Sequence, residues 1–201
     1  MNETIKALSE LYHPYTEVIK PLLALIEAER EEFPLPLYNE VRALNDHVAR
    51  ILSGECTNPE EEFNRAQRHI SRLNLDCFKW LNITFEEKLS AFRKDLRNID
   101  LTKINNGEFY TPFKQHILKA KRLVKEAKIL ESKGATQDAL VSYQKAFNEY
   151  CDAQEMTETI DWIWAKKLYS KARPIIQAIL WLMILLIGWC LDTIFEYFVK
   201  A

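Results

Sequence analysis

The sequence predicts an all-α chain with one membrane-crossing helix, and three observations carry that reading. Only 4 Gly and 7 Pro occur in 201 residues, too little turn chemistry for a many-stranded β fold. Apolar residues recur at helical spacing through most of the chain, in stretches rich in Ala, Leu, Glu, Lys and Arg. Towards the C-terminal end, PIIQAILWLMILLIGWCL, residues 174–191, holds Gln177 as its single strongly polar side chain.

Each element follows from local pattern. Ile5, Leu8 and Leu11, then Val18, Leu22, Leu25 and Ile26, describe helix over 2–30, separated or kinked at Pro14 and Pro21. FPLPL, 33–37, is a breaker, and a new helix runs from Tyr38 to Leu52, ending at Ser53-Gly54. Val41, Leu44, Val48, Ile51 and Leu52 form its apolar stripe, with Asn39, Arg42, Asp46 and Arg50 opposite and Glu40 and His47 at the border. Beyond ECTNPEE a helix from Pro59 to Leu81 buries Phe63, Ala66, Ile70, Leu73, Cys77 and Trp80, and another is expected over 83–98. A connector with turn signals at Asn105-Asn106-Gly107 leads to an antiparallel helical hairpin over 113–152. Its Ala127, Gly134, Ala139, Tyr143 and Ala146 match one tetratricopeptide-like unit; a single copy is a hairpin and not an array.

The apolar run of 18 residues reaches roughly 27 Å at ~1.5 Å per residue, close to the ~30 Å thickness of a bilayer's hydrocarbon core. Lys166, Lys167, Lys171 and Arg173 precede it and only Lys200 follows, a bias that places the preceding domain in the cytoplasm. Trp162, Trp164 and Tyr169 on one side, with Trp189, Phe195, Tyr197 and Phe198 on the other, have the distribution of interfacial aromatic belts. The expected organisation is a cytoplasmic helical domain over 1–165, then a basic neck and a membrane helix over 166–201 with its core at 174–191.

Composition narrows the chemistry. A formal net charge of -2 gives no global basic signature, so contact with nucleic acid requires a local patch. Cys56, Cys77, Cys151 and Cys190 are dispersed, which argues for free thiols in a reducing compartment and against a disulfide framework or a zinc site. The opening MNETIKALSELYHPY lacks the cationic and apolar regions of a secretory signal. No metal and no small-molecule cofactor are expected.

The local basic patch lies on the 59–81 helix, where Arg65, Arg68, His69, Arg72, Asp76 and Lys79 share the stripe opposite the apolar one. On the preceding helix Arg42 and His47 are separated by four residues and follow Asn39-Glu40. This arrangement resembles the R-x4-6-H motif of the HEPN superfamily, and His69, Arg72, Asp76 and Lys79 resemble the family helix that faces it; the resemblance covers about 38–82. It implies an all-α HEPN-like bundle, here with an additional hairpin and a C-terminal transmembrane helix. It also implies catalytic roles for Arg42 and His47, supported by Asn39 and Asp46, and RNA binding by Arg65, Arg68, His69, Arg72 and Lys79.

In that family the reaction is metal-independent cleavage of RNA through its own 2′-hydroxyl. A permanently charged guanidinium suits the phosphate, and an imidazole titrating near neutrality suits the proton transfers. Ala43 stands where active members usually place Asn, Asp or His, so a tethered ribonuclease and a non-catalytic membrane adaptor both stay open as alternatives. A HEPN-like domain joined to one membrane segment is similar to the membrane-associated HEPN accessory proteins of prokaryotic defence loci, those of type VI-B CRISPR systems among them. That similarity implies a homo-oligomeric pore in the inner membrane that supports an RNA-guided antiviral effector. One helix cannot line a channel, so several copies are required, with Gln177, Asp192 and Glu196 as the expected pore-lining residues.

Overall fold

The computed structural model describes residues 3–200, with the side chains of residues 173 and 192–200 outside the description. Eight α-helices are present among the described residues: α1 (Glu3–Pro14), α2 (Lys20–Arg30), α3 (Leu35–Ser53), α4 (Pro59–Asp95), α5 (Tyr110–Ser132), α6 (Thr136–Glu158), α7 (Trp162–Leu168) and α8 (Arg173–Lys200). No strand occurs among them; Ile99 and Ser170 form an isolated antiparallel bridge. The all-α expectation holds, with one helix apolar enough to span a bilayer.

Proline chemistry shapes the beginning. Pro14 lacks the N–H that would continue the α-helical ladder, and the chain answers with a π-helical turn, Tyr15–Ile19, before α2 resumes with Pro21 in its first turn. The two prolines therefore widen a continuous helical path without interrupting it. α3 starts earlier than the apolar pattern indicates, since Pro36 is tolerated in a first helical turn, and it ends where Gly54 adopts φ +71°, a conformation costly for a side chain with a Cβ.

The largest departure from expectation is α4, one uninterrupted helix of 37 residues where two were expected with a break after Leu81. Asn82 looks like a weak point because its side chain competes for backbone hydrogen bonds. It is buried, and its Nδ2 donates to the carbonyl of Phe78 at 2.7 Å and to that of Tyr143 on α6 at 2.9 Å. The side chain ties two helices together and leaves the ladder intact. Replacing Asn82 with Ala removes both bonds and is expected to cost about 1–3 kcal/mol, read from urea or thermal melts of the full chain.

The chain forms two compact units. The first comprises residues up to Ser90 with Lys114–Glu155. Its core is built on Leu37 and Leu44 of α3, Leu73, Cys77 and Leu81 of α4, and Tyr143 and Tyr150 of α6, all almost fully buried. Burial pushes the Cys77 thiol up to about 12, so it packs as an apolar side chain. α5 and α6 form the expected hairpin, turning at Gly134 with φ +78° and closing on Ala127, Ala139 and Ala146, whose small side chains let the helices approach.

The second unit comprises Ala91–Phe113 with the chain from Met156 onward, so the boundary drawn from composition at residue 165 falls inside it. Phe92, Phe109, Phe113 and Trp162 make an aromatic cluster, with ring centroids 4.9 Å apart for Phe92–Trp162 and 5.0 Å for Phe109–Phe113. The backbone N–H of Asp100 donates to the carbonyl of Tyr169 at 3.0 Å, and that of Lys171 donates to Asn98 at 2.9 Å. The segment leading into α8 is thus bonded to the 98–100 loop, not left as a free neck.

Candidate functional site

The polar constellation sits in the α3–α4 hairpin. In each helix a glutamate precedes a histidine by seven residues, Glu40 and His47 on α3, Glu62 and His69 on α4. Seven residues are two helical turns, so each pair lies on one face. The helices run antiparallel, and the pairs cross: His47 Nδ1 is 2.6 Å from Glu62 Oε2, and His69 Nδ1 is 2.7 Å from Glu40 Oε2. The two imidazoles stack between them, centroids 5.2 Å apart and planes inclined by 24°.

The seam is largely shielded, with the His47 and His69 side chains 13% and 17% exposed. The hydrogen bond from His47 is the chief reason that the Glu62 carboxyl lies below the usual carboxylate range; burial opposes it, and the neighbouring His47, Arg50 and Arg65 charges add to the lowering. Arg50 Nη1 lies 3.5 Å and Arg65 Nη1 3.4 Å from that carboxylate, and Arg65 also pairs with Glu61. Because a carboxylate only accepts, the ring nitrogen that faces it, Nδ1 in each histidine, is the donor. The arrangement can hold two helices in register.

The residues expected from sequence are distributed unevenly. His47 and His69 meet. Arg42 is exposed, since five residues of helix turn it about 140° away from His47, and Asn39 and Asp46 are exposed with it. Within one chain the Arg and the His of the motif therefore do not converge. Arg68 and Arg72 are exposed on α4, whereas Lys79 is held by Asp76 at 3.1 Å and Glu131 at 2.5 Å. Glu62 was not anticipated. The signal for it was the repeated Glu-x6-His spacing in two consecutive helices.

A second polar cluster joins the hairpin of α5 and α6. His116, Glu149 and Asp152 bring donor atoms within 4.8 Å of one another, the grouping among the described residues with donors suited to a metal ion. Both oxygens of Glu149 are already met, by His116 Nδ1 at 2.8 Å and Lys119 Nζ at 2.5 Å. Burial works against ionisation of Glu149, but these two hydrogen bonds outweigh it and hold the carboxyl below the usual range. The cluster is complete as an ion-pair network.

The apolar segment of α8, Pro174–Leu191, has mean hydropathy 2.2, and none of it is buried. Gln177 stands in its first turns, beside Trp164, Lys167, Leu168, Ser170 and Ile176. The side chains of Asp192 and Glu196 lie outside the described residues. Comparison with family models, curated proteins and solved structures finds no match to this chain.

Proposed function

We propose that the protein is a membrane-anchored, HEPN-like defence effector of the prokaryotic inner membrane, whose copies assemble through α8 into a pore in support of an RNA-guided CRISPR effector. The observation that carries the reading is the 18-residue apolar segment with no residue buried. Such a surface is stabilised by lipid or by other copies of itself, and at about 25 cal/mol per Å² it is too costly to leave in water. The four cations that precede it orient the first compact unit towards the cytoplasm. The divergence of Arg42 from His47 within one chain favours assembly over catalysis.

Reconstitution tests it. The full chain in detergent is expected to run as a large homo-oligomer and to release a small dye from liposomes. A monomer that leaves the dye enclosed sinks the pore reading. Coupling to the effector is read as loss of membrane potential only when effector and target RNA are both present.

A second reading, a membrane-tethered metal-independent ribonuclease, is favoured by the stacked His47/His69 pair with a carboxylate on each ring. On this reading two chains bring Arg42 of one copy near the histidines of another. RNA cleavage in excess chelator, abolished by His47→Ala in a chain with unchanged helical content, is the expected signature. Equal cleavage by the variant excludes it.

A further inference from the structure

The short helix α7, WIWAKKL, has an unusual surface for a connector. Ile163 is 86% exposed and Trp164 56%, while Lys166 and Lys167 are exposed beside them and Ala165 turns inward. The helix is held firmly: Asp161 caps it by accepting from the Trp164 N–H at 3.0 Å, Trp162 packs on Phe92 and Phe109, and Trp162 Nε1 donates to the Thr157 carbonyl at 2.6 Å. Lys171 Nζ is engaged by the carbonyl of Arg97. A greasy, cationic foot is therefore fixed where the chain turns into α8.

Between this foot and the first turns of α8 is a notch of about 420 Å³, lined by Trp164, Lys167, Leu168, Ser170, Ile176 and Gln177. Its polar groups are an ammonium, a hydroxyl and a carboxamide, all able to donate, and no carboxylate lines it. Ser170 Oγ already accepts from the Ala172 N–H at 3.3 Å, so its own proton points elsewhere. Trp164 supplies an amphipathic ring suited to the headgroup layer, and Leu168 and Ile176 supply apolar wall. Donors, one exposed lysine and an apolar wall at the entry of an apolar helix match a phosphodiester with an acyl chain attached.

We infer that this notch holds the headgroup phosphate of an anionic phospholipid, with Lys167, Ser170 and Gln177 as its donors. The inference rests on the reading of α8 as a membrane helix. It gives Gln177, the polar side chain of the apolar run, a partner at the membrane surface and not in a channel lumen.

The test uses the full chain reconstituted in phosphatidylcholine with or without phosphatidylglycerol, then extracted in mild detergent, with retained lipid counted by native mass spectrometry. The parent chain is expected to retain phosphatidylglycerol in preference to phosphatidylcholine. Lys167→Gln is expected to lower that retention about fivefold, the usual weight of one lysine at an anionic surface, while Lys128→Gln, an equal change of charge at an exposed position of α5, leaves it unchanged. Ser170→Ala with Gln177→Leu is expected to weaken retention without altering net charge. Integration without lipid preference, equal retention by Lys167→Gln and Lys128→Gln, or saturable binding of inorganic phosphate by lipid-free chain would each overturn the notch and leave the anchor standing. A full chain that enters neither kind of vesicle overturns the anchor itself.

Discussion

A chain carrying Leu182→Arg and Leu185→Arg is expected to leave the membrane fraction. Both residues lie near the middle of the apolar segment, 60% and 67% exposed, so neither arginine has protein to shelter it. A charge at the centre of a spanning helix costs about 2.5–3.5 kcal/mol, so two cost about 5–7 kcal/mol, some four to five powers of ten in the insertion equilibrium. The double variant is expected in the soluble or aggregated fraction after carbonate extraction, with dye release lost, whereas Leu182→Met with Leu185→Met stays integrated. Full integration of the arginine variant would mean that α8 is covered by protein in the assembled state and does not face lipid.

Removing both carboxylates of the hairpin is expected to loosen it and to change its response to acid. In Glu40→Gln/Glu62→Gln the hydrogen bonds of His47 and His69 lose their charged partners, and Arg50 and Arg65 lose the carboxylate they face. Melting temperature at neutral pH is expected to drop by several degrees in the double variant. The parent weakens in acid: Glu62 titrates lower when folded, so its contribution is complete above the unfolded carboxylate pKa, about 4.3, and is lost as pH falls through the folded value. The variant, which lacks that carboxyl, is expected to lose less stability than the parent over the same acid range. Equal melting temperatures at neutral pH with parallel acid profiles would show that the crossed pairs do not hold the hairpin.

The helical character of the chain and the apolar segment were legible because both are written in composition and period. The end of α3 at Gly54 was legible because glycine marks a backbone that other residues avoid, and the α5–α6 hairpin was legible from its small residues, though not that Gly134 makes its turn. What escaped was tertiary. Asn82 reads as a break because local propensity knows nothing of the Tyr143 carbonyl waiting on another helix. Glu62 hides among Glu60 and Glu61, where three acids in a first helical turn look like a complement to the helix dipole. Arg42 and His47 look paired on paper, but a four-residue gap falls out of phase with 3.6 residues per turn, and only the geometry reveals which of them faces α4.

The crossed pairs also govern how the hairpin avoids error. An antiparallel pair of helices with stripes of Leu37, Leu44 and Val48 against Ala66, Ile70 and Leu73 has little to stop one helix sliding by a turn, because one aliphatic side chain replaces another at modest cost. With two histidines and two glutamates in the seam, a one-turn slip parts both pairs at once and strands four polar groups in a poorly solvated place. The charges thus act less as glue than as a key, rejecting the misaligned hairpins that a purely aliphatic seam would accept.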